Sequence, residues 1–175
     1  MIFDDERGLD RIPITELSTC SFAERGQNIV LQGLTGTGKT YLACAITKEA
    51  CRKRIRSHYI RIPDLEEAWD LSRRRSGGEH KMLRKYASFT VLVLDEWLLD
   101  SPCDAFRGFL LELMEARYGT CSTILCTQFR SKDWHVRLGG GVHADAIMDR
   151  IVHNTAWVET GELNMRKKLS ANTAR

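Results

Sequence analysis

Five short apolar runs punctuate the chain, at Asn28 to Leu31, His58 to Ile62, Thr90 to Leu94, Thr123 to Thr127 and Ala156 to Val158. Each has the length and composition of a strand, and the stretches between them carry helical spacing. Phe106, Phe109, Leu110, Leu113 and Met114 fall at i, i+3, i+4, i+7 and i+8, and Gly119 follows where a helix C-cap suits glycine. Ala144, Ile147, Met148, Ile151 and Val152 repeat that spacing. A further helix is expected from Ile14 to Arg25, stopped by Gly26 and packed on the sheet edge. Strands alternating with helices predict an α/β fold with a mostly parallel sheet.

Composition narrows the class. At 175 residues, 43% hydrophobic and 28% charged, the chain reads as a single globular domain. Twenty-six basic against 23 acidic residues give a net charge of +3, too small for a polycationic binder. The charge is uneven, however. Between Arg73 and Lys85 stand Arg73, Arg74, Arg75, Lys81, Arg84 and Lys85 against Glu79, six basic residues to one acidic, or +5 locally. Gly77 and Gly78 would let this segment flex toward a partner, and DNA phosphates are the partner its charge suits. No run approaches the roughly 18 apolar residues of a membrane span, and the acidic start lacks a signal-peptide core, so a cytoplasmic protein is expected. The six cysteines form no C-x-x-C pair and read as small buried thiols in a reducing compartment.

Two motifs carry chemistry. Gly33-Leu34-Thr35-Gly36-Thr37-Gly38-Lys39-Thr40 fits G-x-x-x-x-G-K-[ST], with a strand leading in and a helix, beginning at Tyr41, leading out. In such a loop backbone N–H groups wrap a phosphate, Lys39 reaches the terminal phosphates and the Thr40 hydroxyl can hold Mg²⁺. ATP with Mg²⁺ is therefore the expected ligand, with Gly33, Thr35, Gly36, Thr37, Gly38, Lys39, Thr40 and Tyr41 as its binding residues. The strand Thr90 to Leu94 runs into Asp95 and Glu96. Asp95 can bind the metal, and Glu96 can orient or deprotonate water, which a hydrolase needs and a kinase avoids. In an NTPase the next strand commonly inserts beside the phosphate-loop strand, so that Gln128 or Thr127 at its end would face the γ-phosphate.

These motifs, together with Leu113-Met114-Glu115-Ala116-Arg117-Tyr118-Gly119, Asp133-Trp134-His135 and the stretch from Ala144 to Asn154, resemble the IstB/DnaC-like AAA+ ATPases over nearly the whole chain. The resemblance implies a P-loop NTPase of the ASCE type with a five-stranded parallel sheet of order 5-1-4-3-2, flanking helices and a minimal C-terminal lid. It implies residues 1–27 as an N-terminal helix packing on the core, 28–160 as the nucleotide-binding core and 161–175 as a tail. It matches Lys39 and Thr40 to Walker A, Asp95 and Glu96 to Walker B, Gln128 to the polar sensor, Arg150 to an arginine finger offered to a neighbour's ATP, and Arg166 to a C-terminal sensor arginine. Helical geometry places Arg150 about 130° from the apolar stripe, free to face a partner. The N-terminal region usual in that family, implicated in partner contact, is not found before Met1, so the chain reads either as a fragment holding the ATPase core or as a naturally short relative, which weakens the expectation of a transposase contact.

The implied function is an ATPase that self-assembles on duplex DNA as a helper of insertion-sequence transposition, with a transposase as partner. A replicative helicase loader acting on single-stranded DNA is the alternative within the family. A small-molecule kinase, with Arg73 to Arg75 clamping an acceptor phosphate, is a different class against which Glu96 and Arg150 argue. A nucleotide-gated scaffold with little turnover is a third. The basic tail from Arg166 to Lys168 is a second candidate DNA contact.

Overall fold

A computed structural model of the chain describes residues 17–161. Its five strands are β1 (Asn28–Gln32), β2 (Ser57–Arg61), β3 (Val91–Asp95), β4 (Ser122–Thr127) and β5 (Thr155–Glu159), hydrogen-bonded in the order β2-β3-β4-β1-β5 and parallel at every pairing. This is the order 5-1-4-3-2 read from the other edge. β4 does insert between β1 and β3, as expected.

The three inner strands explain the apolar runs. Every residue of β3 and β4 is buried, and alternate residues feed two separate cores, as in parallel sheets covered on both faces. Ile29, Leu31, Val91, Val93, Ile124 and Cys126 join one core with the helix α2 (Lys39–Arg52). Val30, Leu92, Leu94 and Leu125 join the other. That second face carries α3 (Ile62–Arg73), α4 (Gly78–Ala87), α5 (Asp104–Arg117), α6 (Ser131–Arg137) and α7 (Gly141–Val152). The expected stripes on α5 and α7 are buried there, except for Val152 and the half-buried Met148. Ile62, expected at the end of a strand, instead opens α3, because Pro63 suits a first helical turn and has no N–H for a ladder.

The N-terminal helix is corrected in two respects. Residues 14–16 lie outside the described residues, and the remainder is broken by a turn at 19–20 before the short α1 (Ser21–Glu24). Cys20 takes a left-handed φ of 61°, and the Ser21 N–H donates to the Thr19 hydroxyl, a local bond that competes with helix continuation. The segment also packs beneath the inner strands rather than on an edge. Leu17, Phe22 and Ala23 are buried with Ile29 and Leu31, and Ser122 Oγ on β4 donates to the Phe22 carbonyl at 3.0 Å.

Burial of the cysteines is likewise corrected. Cys20 and Cys126 are buried, but Cys44, Cys51 and Cys103 are exposed. Cys44 and Cys51 are seven residues apart, two turns along one solvent face of α2.

Arg117 is the structural residue of the Met114 to Gly119 stretch. Its guanidinium is buried and donates to the carbonyls of Tyr86, Ala87, Phe89 and Ser122 and to the Thr123 hydroxyl, at 2.6 to 3.3 Å. Burial lowers its pKa to about 10, yet it stays charged at neutral pH. It ties the end of α4 to the start of β4.

Candidate nucleotide-binding site

The site lies along the carboxyl ends of β1, β3, β4 and β5, where open α/β sheets place ligands. After β1 the chain turns through the phosphate loop into α2. Gly36 and Gly38 hold φ of 88° and 91°, values that side chains oppose, so the motif's glycines are needed to shape the turn. Gly33 is required for space instead. A Cβ there would meet the Thr160 hydroxyl at 2.1 Å.

Lys39 Nζ donates to the carbonyls of Gly33 and Leu34 at 2.6 and 2.8 Å, folding the cation back over the loop. Thr37 is fully buried, its hydroxyl 2.8 Å from the Leu34 carbonyl and 2.6 Å from Thr160 Oγ1. Thr160 lies just beyond β5 and its N–H donates to the Gln32 carbonyl at 2.8 Å, so β5 supports the loop from below. Tyr41, on the first turn of α2, is 58% exposed.

Thr40 and Asp95 meet as the motifs require. Thr40 Oγ1 donates to Asp95 Oδ2 at 2.8 Å, and the Glu96 N–H donates to Asp95 Oδ1 at 2.8 Å. A hydroxyl and a carboxylate side by side are hard oxygen donors, the set that suits Mg²⁺. Glu96 follows in a left-handed backbone, φ 60°, rare for a residue with a side chain. Its turn is held on both sides. Trp97 N–H donates to the Cys126 carbonyl at 2.8 Å, and Arg137 from α6 donates to the carbonyls of Leu98 and Leu99 at 2.6 and 2.5 Å while lying 3.7 Å from the Phe129 ring centre. These bonds fix the turn that carries Glu96 at the carboxyl end of β3, beside Asp95. Gln128, just past β4, accepts a bond from Thr35 Oγ1 at 3.0 Å, which brings the sensor candidate onto the loop.

Three contributors were missed from sequence. Tyr59 OH on β2 donates to Asp95 Oδ2 at 2.7 Å, and burial together with that carboxylate raises its pKa far above the usual phenol value. Thr160 and Arg137 are the others. Only Tyr59 left a signal, a polar-tipped aromatic on the strand beside the acidic pair.

Arg150 is corrected in its surroundings. It is not free: Nε binds Glu115 Oε2 and Nη1 binds Asp149 Oδ2, both at 2.7 Å, and its side chain is 28% exposed. α7 packs on α5, which brings Glu115 within reach, and that carboxylate raises the Arg150 pKa further.

The basic segment is only partly gathered. Arg73, Arg74 and Arg75 line a cavity of about 560 Å³ with Gly78, Glu79 and Glu112, whereas Lys81, Arg84 and Lys85 are exposed along α4 outside it. The flexibility expected of Gly77 and Gly78 is corrected. Gly78 N–H donates to the Arg75 carbonyl at 2.9 Å, and a Cβ on Gly78 would meet the Ser72 carbonyl at 2.1 Å, so the glycines fix a tight α3–α4 turn. Arg166 and Lys168 lie outside the described residues.

Residues 1–173 match the family described as IstB-like ATP binding protein. The chain belongs to this family. It is 35% identical over 165 residues to the insertion sequence ATP-binding protein y4pL of Sinorhizobium fredii, covering 94% of this chain and 67% of that one. A second relative from the same organism, y4uH, is 33% identical over 92% of this chain and 64% of its own length. The chain thus spans about two thirds of these relatives. Among solved structures, the DnaC helicase loader superposes with a TM-score of 0.71 at 25% identity, over 85% of this chain and 86% of that one. AMPPCP-bound DnaA from Aquifex aeolicus superposes with a TM-score of 0.72 at 21% identity, over 93% and 50%. The fold is that of the P-loop AAA+ proteins.

Proposed function

We propose that this IstB-like ATP-binding chain hydrolyses ATP with Mg²⁺ and assembles head to tail on duplex DNA as a cytoplasmic helper of insertion-sequence transposition. The observation that carries the hydrolase reading is the Thr40–Asp95 pair at 2.8 Å beside a strained Glu96. Bound Mg²⁺ would neutralise phosphate charge, with Thr40 and Asp95 to hold it. Lys39 exchanges the Gly33 and Leu34 carbonyls for phosphate oxygens, and the glycine loop gives its N–H groups to the same charge. Glu96 orients the attacking water, and Gln128, released from Thr35, reads the γ-phosphate.

Arg150 supplies positive charge to a neighbouring subunit's ATP. Such contacts are heterologous, so rings or open helices are the allowed assemblies. The basic residues from Arg73 to Lys85 meet DNA phosphates. Relatives named as insertion-sequence ATP-binding proteins support the transposition role. AMPPCP in a DnaA of the same fold supports ATP. The likeness to a helicase loader keeps replication as the second reading, with single-stranded DNA and a replicative helicase in place of duplex and transposase.

Glu96→Gln is the test. ATP binding should be retained while hydrolysis falls by about 10² to 10⁴, the usual worth of a positioned base. Hydrolysis at the wild-type rate would remove Glu96 from the role. Imaging with an ATP analogue and duplex DNA then tests assembly, where isolated monomers would count against it.

A further inference from the structure

We propose that Tyr59 is a positioning residue for the Asp95 carboxylate, fixing the oxygen that Thr40 also touches and so setting how the site takes up the magnesium form of its nucleotide. The inference rests on reading Asp95 as the metal carboxylate.

The sheet register explains why a tyrosine can do this. Tyr59 on β2 is in register with Val93, and Asp95 lies two residues further along the neighbouring strand, on the same face. A diagonal neighbour of this kind is within reach of a long aromatic side chain and of few others. The phenol spans the gap and donates to Oδ2 at 2.7 Å, while Thr40 donates to the same oxygen at 2.8 Å and the Glu96 N–H holds Oδ1 at 2.8 Å.

A carboxylate offers about four lone-pair positions, and these three donors occupy three of them. Asp95 is also only 5% exposed, so it cannot rotate without breaking bonds to two different elements. Each donor comes from a separate part of the site: Thr40 from the phosphate-loop helix, Glu96 from the hydrolytic turn, and Tyr59 from the strand that leads to α3. Thr40 is itself a candidate metal ligand, and Glu96 binds through a backbone whose shape is strained. Tyr59 is the donor with no other task in the site, and its bond aims the carboxylate whatever the loop is doing.

The ring and the hydroxyl separate cleanly. The half-buried ring packs against the core shared by α2 and the inner strands, and phenylalanine would fill the same space. Donors that orient metal-binding carboxylates are typically worth about 10- to 100-fold in metal affinity.

The experiment measures binding of a fluorescent ATP analogue to the full chain, titrated with MgCl₂ and repeated in EDTA, for wild type, Tyr59→Phe and Asp95→Asn. Thermal melts without nucleotide accompany each. Tyr59→Phe should keep its metal-free affinity, should melt only a few degrees lower for the lost hydrogen bond, and should need about tenfold more Mg²⁺ to reach the tightened state. An unchanged Mg²⁺ midpoint in Tyr59→Phe, with a shifted one in Asp95→Asn, would overturn the role of Tyr59 and leave Asp95 in place. Loss of metal-free and metal-bound affinity together would make Tyr59 structural and overturn it as well. An unshifted midpoint in Asp95→Asn would remove the metal reading of Asp95 and the proposal with it.

Discussion

The phosphate-loop floor and the basic turn between α3 and α4 are both rich in polar groups, but they are built in opposite ways. On the floor, partners come from distant parts of the chain: Asp95 with Thr40 and Tyr59, Thr35 with Gln128, Thr37 with Thr160. In the basic turn, partners are near neighbours on the same helix. Arg74 pairs with Asp70, Arg73 lies over the Trp69 ring and Lys85 over the Tyr86 ring. Long-range bonds fix one geometry, as chemistry demands. Local, exposed pairs are worth little and leave the charge available to a partner. Single changes on the floor should therefore alter how the site takes up nucleotide and metal, whereas changes in the turn should alter only the strength of binding to DNA.

Arg150 lies between the two types, since Glu115 is remote in sequence while Asp149 is adjacent. If it serves a neighbour's ATP, Arg150→Ala should leave nucleotide binding to a dilute monomer intact and cut assembly-dependent turnover by about 10³ to 10⁵. Mixing it with Lys39→Ala should rescue part of that turnover, each subunit supplying what the other lacks. Absence of rescue at every ratio would confine Arg150 to its own subunit's ion pairs.

Arg117 sharpens the contrast from the far end of α4. It anchors that end through the carbonyls of Tyr86, Ala87 and Phe89, so the helix that carries Lys81, Arg84 and Lys85 is fixed while their charges stay exposed. Arg117→Ala orphans several buried acceptors and leaves a cavity, at a cost of about 3 kcal/mol or more. Urea unfolding should show the loss, and a change under 1 kcal/mol would mean that α4 is held some other way.

Those arginines also show what the sequence could convey. Phosphate-loop glycines and the acidic pair are local signals, and each lies where the motif put it, whereas the strand order was implied by the family resemblance and by no local pattern. Tyr59, Thr160 and Arg137 act across strands and loops, 36, 123 and 38 or more residues from the groups they hold. No spacing rule reaches so far. Arg117 and Arg150 stand in similar helical, apolar-flanked stretches, yet one is buried on five acceptors and the other sits at the surface. Tertiary packing decided that difference, as it decided that Cys20 and Cys126 are buried while Cys44, Cys51 and Cys103 face water.

The basic turn should answer in graded fashion. Neutralising Arg73, Arg74 and Arg75 together should flatten the log–log salt dependence of duplex binding by roughly two to three units if all three meet phosphate, because each contact contributes about 0.9. Affinity should fall alike for unrelated sequences, and ATP binding without DNA should not move. Single changes should each remove about one unit. An unaltered slope in the triple variant would move the DNA surface elsewhere, with the tail from Arg166 to Lys168 next.

The smallest effect tests the floor where its contact is most hidden. Thr160→Val preserves shape while deleting the hydroxyl that meets Thr37 at 2.6 Å. Thr37 keeps the Leu34 carbonyl, and the Gln32 carbonyl keeps the Thr160 N–H, so no buried group is left wholly unpaired. The cost should be only about 1 kcal/mol, a fall in Tm of roughly 2–4 °C for a domain of this size. The decisive quantity is how far ATP raises the melt. If Thr160 holds the loop in its binding shape, the variant should gain fewer degrees from ATP than wild type, because part of the binding energy is spent ordering Thr37. Equal gains would mean that β5 merely fills space beneath the loop. The floor would then depend on Asp95 with its donors and on the Thr35–Gln128 bond, and the contrast with the basic turn would narrow to those contacts.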